Sequence, residues 1–211
     1  MHHSPHETAW RHRLHDLLRD RDRLRHFLAT RDRRVLPEIK PSAVLVPILE
    51  RDGRPHLLLT RRSDTVRAHT GQICFPGGRV EPHDVDLLAT ALRETHEEIG
   101  LDPARVDVLG PLDDMATRLG QRITPYLGVI PDDSWQVVDP REVAYTLVLP
   151  LEDFLDPERL TIKAHALPEG TRDVYYYAMG DEIVWGATAR IIHDALALLA
   201  RGGVDNPSSE A

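Results

Sequence analysis

The stretch GQICFPGGRVEPHDVDLLATALRETHEEIGL, residues Gly71 to Leu101, decides how the rest of the chain is read. A short apolar run, Ile73-Cys74-Phe75, passes through Pro76-Gly77-Gly78 into a segment of helical period that ends at Gly100. Within that segment Glu94 and Glu98 stand one turn apart on one face, with Glu97 beside them. Leu88, Leu92, Thr95 and Ile99 take the other side and are expected to face a core. Three carboxylates near a helix's negative end repel one another and gain nothing from the macrodipole. A hard divalent cation, Mg²⁺ or Mn²⁺, accounts for such a cluster, because these ions take carboxylate oxygens and keep waters for substrate phosphates. A solvated acidic face is the plainer reading of paired glutamates. Arg93 directly before Glu94, and the glycine turn at a set distance upstream, favour the cation.

Arg93-Glu94-Thr95-His96-Glu97-Glu98-Ile99-Gly100-Leu101 resembles the second half of the Nudix box, G-x5-E-x7-R-E-U-x-E-E-x-G-U, where U is apolar. Thr95 at an apolar position is a mild departure. Counting from Gly78, the upstream acidic residue is Asp84, and the gap to Arg93 is one residue longer than in the common box. That longer gap resembles the coenzyme A diphosphatase branch of the Nudix hydrolases. The branch carries a second signature just upstream, roughly L-L-T-x-R-S-x3-R-x3-G-x3-F-P-G-G. Leu58-Leu59-Thr60-Arg61-Arg62-Ser63, then Arg67, Gly71 and Phe75-Pro76-Gly77-Gly78, match it in register.

The resemblance implies an α/β Nudix fold, a mixed curved β-sheet between helices in an α/β/α sandwich, to which the N-terminal residues, by their own helical spacing, add an arm. It implies a metal site of Glu94, Glu97 and Glu98, and a base drawn from Glu97, Glu98 or a later glutamate, for which Glu142 is the candidate. Arg62, Arg67, Gly77 and Gly78 are the expected substrate-binding positions; Arg93 and Gly100 are expected to be structural. Arginine forks suit phosphate oxygens, so Arg62 and Arg67 beside a glycine turn fit that role better than Arg61. His69 and His96 lie inside the motifs and read as hydrogen-bonded structural residues. The implied reaction is metal-dependent hydrolysis of coenzyme A, its thioesters or its oxidised form to 3′,5′-ADP and 4′-phosphopantetheine.

Composition bounds the partners. The chain has 211 residues, enough for one domain with a sizeable core plus an arm. A net charge of −8 argues against general nucleic-acid or anionic-membrane binding, so a polyanionic substrate needs a local basic patch or a metal. The single cysteine, Cys74, excludes an internal disulfide and fits a reducing compartment; in its apolar run it reads as a buried, inert thiol. No apolar run reaches transmembrane length, and no signal-peptide pattern opens the chain. A cytoplasmic protein with a small-molecule substrate is expected, and a homodimer is left open.

Residues 1–36 are expected to form an amphipathic helical arm. Ser4-Pro5-His6-Glu7 reads as a helix start, and Trp10, Leu14, Leu17, Leu18, Leu24, Phe27 and Leu28 recur at helical spacing. A break is expected near Asp20 to Asp22. Interspersed aspartates neutralise the arginines, and His12 and His15 read as exposed. Residues 37–201 are expected to be the Nudix hydrolase domain, and 202–211 a polar tail. In the domain, Ala43–Leu49 and His56–Thr60 flank Asp52-Gly53 as a hairpin. Strands follow at Val106–Leu109, Ile123–Ile130 and Glu142–Leu149, then a short helix at Pro150–Leu155. A second hairpin is expected from Thr161–Ala166 and Val174–Met179 around Pro168-Glu169-Gly170, with a last helix beginning near Trp185. The polar loop Asp113–Gln121 reads as a cover for a ligand.

Two rivals remain at this level. One is a Nudix hydrolase for another nucleoside diphosphate derivative such as ADP-ribose, which the upstream signature disfavours. The other is a non-catalytic nucleotide-sensing module, which would be expected to have lost box carboxylates that this chain keeps.

Overall fold

The computed structural model describes residues 16, 18–37, 39–64, 71–117, 120–167 and 170–202. The expected helix start at Ser4, the histidines at 12, 15 and 69, and Arg67 lie outside these residues. So do Trp10, Leu14 and Leu17 of the apolar stripe.

The expected first hairpin is present as β1 (Pro41–Arg51) and β2 (Arg54–Arg62). Asp52 and Gly53 both take positive φ (53° and 71°), the geometry that matches a two-residue turn to strand twist. The strands pair from Arg51↔Arg54 to Ile48↔Leu57 and then separate. Two short strands fill the gap: β3 (Ile73–Cys74) bonds β2, and β4 (Gly77–Arg79) bonds β1. The glycine turn is therefore inserted into the sheet itself. On the other flank of β1, β7 (Arg122–Val129) runs parallel, with β5 (Asp107–Pro111) and β6 (Met115–Ala116) antiparallel to β7. The free flank of β2 takes β8 (Val143–Pro150). The result is an eight-stranded mixed sheet.

Alternation along β1 and β2 separates two cores. Leu45, Leu49 and Leu58 point to one face and pack with Ile99 and Leu101 at the end of the acidic helix. Val46, Ile48, Leu57 and Leu59 point to the other and join the larger core. That core is closed by α1 (Arg21–Thr30) through Leu24 and Leu28. It also takes the buried residues of the C-terminal helix, Ala189, Ile191, Ile192, Ala195, Leu196, Leu198 and Leu199. The break expected near Asp20 is the start of α1, where the Asp20 carboxylate accepts the Arg23 N–H at 3.1 Å.

A second, antiparallel sheet has the order β11-β10-β9, from β9 (Leu160–Leu167), β10 (Gly170–Met179) and β11 (Glu182–Trp185). Tyr175, Tyr177 and Met179 turn inward to the larger core, and the Phe154 ring meets Tyr177 edge-on at 5.2 Å. The acidic helix is α2 (Leu87–Ile99) and the C-terminal one α3 (Gly186–Gly202). Among the described residues no helix is long and apolar enough to cross a membrane.

Three expectations change. Leu88 and Leu92 are only half-buried, and the core side of α2 is Thr90, Ala91, Thr95, Glu98 and Ile99. Strand β11 was hidden in four residues that also read as the approach to α3. The front of the loop at Asp113–Gln121 does not hang free. Asp113 pairs with Arg31, and the fully buried Asp114 accepts from Arg33 Nη1 (2.9 Å), Leu36 N (2.9 Å) and Thr124 Oγ1 (2.7 Å). Met115 and Ala116 then join β7.

Candidate active site

The extra residue falls between Asp84 and Arg93. Asp86 caps α2 by accepting the Ala89 N–H at 2.7 Å, and Gly100 ends it in the left-handed conformation. The insertion lies upstream of Arg93, so the angular spacing of Arg93, Glu94, Glu97 and Glu98 on the uninterrupted helix is untouched. Asp84 sits in the turn that enters the helix and receives Arg93 in two-pronged fashion, Nε to Oδ1 at 2.9 Å and Nη2 to Oδ2 at 3.0 Å. The Glu81 N–H and the Thr90 hydroxyl also donate to Asp84 Oδ2, each at 2.8 Å. The Arg93 bond, reinforced by these two donors, holds the Asp84 carboxyl well below the ordinary carboxylate range. Arg93 has donors left over, and Nη1 reaches both Glu94 Oε1 and Glu97 Oε2 at 3.1 Å. One guanidinium thus ties the entry turn to two of the three glutamates.

The three carboxylates differ in environment. Glu98 is 3% exposed, Glu94 is half-buried, and the Glu97 side chain is 56% exposed. Helical spacing places the three on one face without ranking them by burial. Burial pushes Glu98 up to about 8, with the charges of Glu94 and Glu142 adding to it; Arg62 and the Gly77 N–H, at 3.3 Å from Oε2, pull the other way. Burial likewise raises Glu94, against the lowering influence of Arg93.

The glycines act by what they leave out. A Cβ on Gly78 would stand 2.3 Å from the Glu94 carboxyl carbon. On Gly77, whose φ of 146° already favours glycine, it would stand 2.4 Å from the Ala43 carbonyl oxygen, which is backbone.

Glu142 is exposed at the entry to β8, and its backbone carbonyl accepts the Ser63 N–H at 2.8 Å. Its charge acts on both Glu94 and Glu98, so it stands beside the box although 44 or more residues later in sequence. Arg62 pairs with Val143 across the β2–β8 ladder and faces the same side; its charge acts on Glu98 and on the Cys74 thiol. Cys74 bonds the Thr60 hydroxyl at 3.3 Å, and burial raises its thiol. The neighbouring Arg61 points to the opposite face and pairs with Glu182 Oε2 at 2.7 Å. His96 is exposed, with Nδ1 3.2 Å from the Leu101 carbonyl.

Among the described residues no three His, Cys, Asp or Glu side chains already converge as a metal cage. The donor set nevertheless fits a hard divalent cation. A buried carboxylate with a single long N–H contact, two further carboxylates on the same helix and a fourth nearby are an excess of negative oxygen that such an ion neutralises. Asp84 is the position whose part the spacing alone did not reveal; its distance from Arg93 hid the pairing.

The NUDIX domain profile matches residues 39–174, and the chain belongs to the Nudix family. Membership places it among hydrolases of nucleoside diphosphates linked to a further group, a family in general metal-dependent. The uncharacterized Nudix hydrolase NudL of Photorhabdus laumondii is 40% identical over 156 residues, covering 72% of this chain and 81% of that protein. NudL of an Enterobacter species is 37% identical over 186 residues, covering 85% and 94%. Among solved structures, the NUDIX domain of Shewanella oneidensis NrtR, complexed with ADP ribose, is 22% identical with a TM-score of 0.46, covering 62% of this chain and 84% of that one.

Proposed function

We propose that the protein hydrolyses the diphosphate of coenzyme A, or of its thioesters or oxidised form, to 3′,5′-ADP and 4′-phosphopantetheine. The observation that carries this reading is the Leu58-to-Gly78 signature, which resembles that of the coenzyme A diphosphatases and adjoins the box in register. Its Arg62 lies on the box side of the sheet, with its charge acting on Glu98.

In this reading Glu94, Glu97 and Glu98 hold Mg²⁺ or Mn²⁺, which when bound neutralises the diphosphate oxygens and acidifies water. Arg62, with Arg67 from the same signature, takes phosphate oxygens by charge-assisted bonds. Gly77 and Gly78 let the diphosphate approach the backbone and keep the Glu94 carboxyl unobstructed. Arg93 and Gly100 set the helix in place. Water adds to one phosphorus as the P–O–P bridge breaks, and its proton passes to a carboxylate, drawn from Glu97, Glu98 and Glu142. The protein works in the cytoplasm without nucleic acid or membrane as partner, and a homodimer is compatible with it.

A substrate panel tests the reading. With Mg²⁺ or Mn²⁺ present, coenzyme A should be cleaved in preference to ADP-ribose and dinucleoside polyphosphates. Turnover of ADP-ribose or dinucleotides with coenzyme A untouched would establish the rival hydrolase, and affinity without turnover the sensing module.

A further inference from the structure

On the face of the sheet away from the box, a cavity of about 380 Å³ lies between the end of β2 and the second sheet. It is lined by Arg61, Gly71, Tyr176, Glu182, Ile183 and Trp185. Tyr176 is the one outward-facing member of the run Tyr175-Tyr176-Tyr177, and it pairs across the strands with Trp185. The two rings stack 6.0 Å apart and within 6° of parallel. Cross-strand aromatic pairs stabilise sheets on their own account, yet Trp185 remains 41% exposed and Ile183 55%. Against these flat rings stands a polar edge. Arg61 Nη1 meets Glu182 Oε2 at 2.7 Å, and the Tyr145 hydroxyl also donates to Glu182. Lys163 adds a cation on the same strip, its Nζ 5.2 Å from the Tyr176 ring centre.

The volume suits one bicyclic ring with its sugar. Stacking planes suit an aromatic heterocycle. A guanidinium donor beside a carboxylate acceptor is complementary to an adenine edge, which sets a ring-nitrogen acceptor next to an amine donor. We propose that this cavity is a second ligand site, separate from the box carboxylates, for a purine nucleotide carrying an exocyclic amine, its base stacked on Trp185. Adjacent residues Arg61 and Arg62 then serve the two sites from opposite faces of one strand.

The test is isothermal titration calorimetry of AMP into the full chain with EDTA present, independent of any hydrolysis. AMP should bind, and Trp185→Ala should weaken it by about tenfold or more, while Trp185→Phe, which keeps a ring and guards against misfolding, stays within about threefold. IMP, which lacks the amine, should bind more weakly than AMP, and Glu98→Gln should bind AMP as wild type does. The proposal is overturned by absence of AMP binding up to about 10 mM, or by affinity that survives Trp185→Ala. Affinity lost in Glu98→Gln would place the nucleotide at the box and also overturn it. Sedimentation velocity adds a last arm: dissociation of a dimer by Trp185→Ala, without an effect on AMP, would assign this face to a second copy of the chain.

Discussion

Arg93 and Asp84 form a two-pronged ion pair, 2.9 and 3.0 Å long, between the acidic helix and the turn that enters it. Asp84 lies near the molecular surface but is sealed by its partners, its side chain 2% exposed. Asp84→Asn removes the charge and one prong while keeping the shape. The expected cost is about 2–3 kcal/mol in urea unfolding, because Arg93 loses its main partner. A cost near zero would show the pair to be ornamental to stability.

The same pair sets a pH dependence. Asp84 has its folded-state pKa depressed below the ordinary value, about 3.9 in an unfolded chain. Its contribution is therefore complete above that value and is lost as pH falls through and below it, where the unfolded chain binds the proton first. The difference in stability between wild type and Asp84→Asn should shrink steadily as pH is lowered from about 5 toward 2. A difference that stays constant over that range would contradict the assignment.

Gly77 and Gly78 are neighbours with opposite expected phenotypes. At Gly77 a methyl group meets backbone at 2.4 Å in a conformation that disfavours it, so Gly77→Ala should unfold the protein or cost about 3 kcal/mol or more. At Gly78 it meets only the movable end of Glu94. Gly78→Ala should stay within about 1 kcal/mol of wild type in stability while losing most of its turnover. Equal damage to fold and turnover in both variants would show that the glycines serve the fold alone.

Glu98 carries a carboxyl that burial and its neighbours make hard to ionise. Glu98→Gln should abolish turnover yet leave a folded protein. Mg²⁺ or Mn²⁺ should raise the Tm of wild type and leave that of the variant unmoved, by mass action on the folded state. Near-normal activity in Glu98→Gln would remove the residue from the metal site.

Much of this was legible in the sequence because it is local. The Asp52-Gly53 hairpin, the period of α2 and its stop at Gly100 each follow from a few consecutive residues. Glu98's burial was not legible: the Gly77 N–H and the Arg62 charge that act on it arrive from strands β4 and β2, 21 and 36 residues earlier, so helical period alone could not rank it against Glu97. The loop at Asp113 read as a free cover because its partners Arg31 and Arg33 belong to the chain after α1. Glu142 could be chosen from the family pattern, but only the β2–β8 ladder brings it beside the box.

The central claim is the substrate, and the most direct test is kcat/KM for coenzyme A against ADP-ribose, measured side by side with saturating Mg²⁺ or Mn²⁺. The account predicts that coenzyme A is preferred by about tenfold or more, yielding 3′,5′-ADP and 4′-phosphopantetheine, and that Arg62→Ala erodes the preference. Coenzyme A left intact while ADP-ribose is hydrolysed would contradict it.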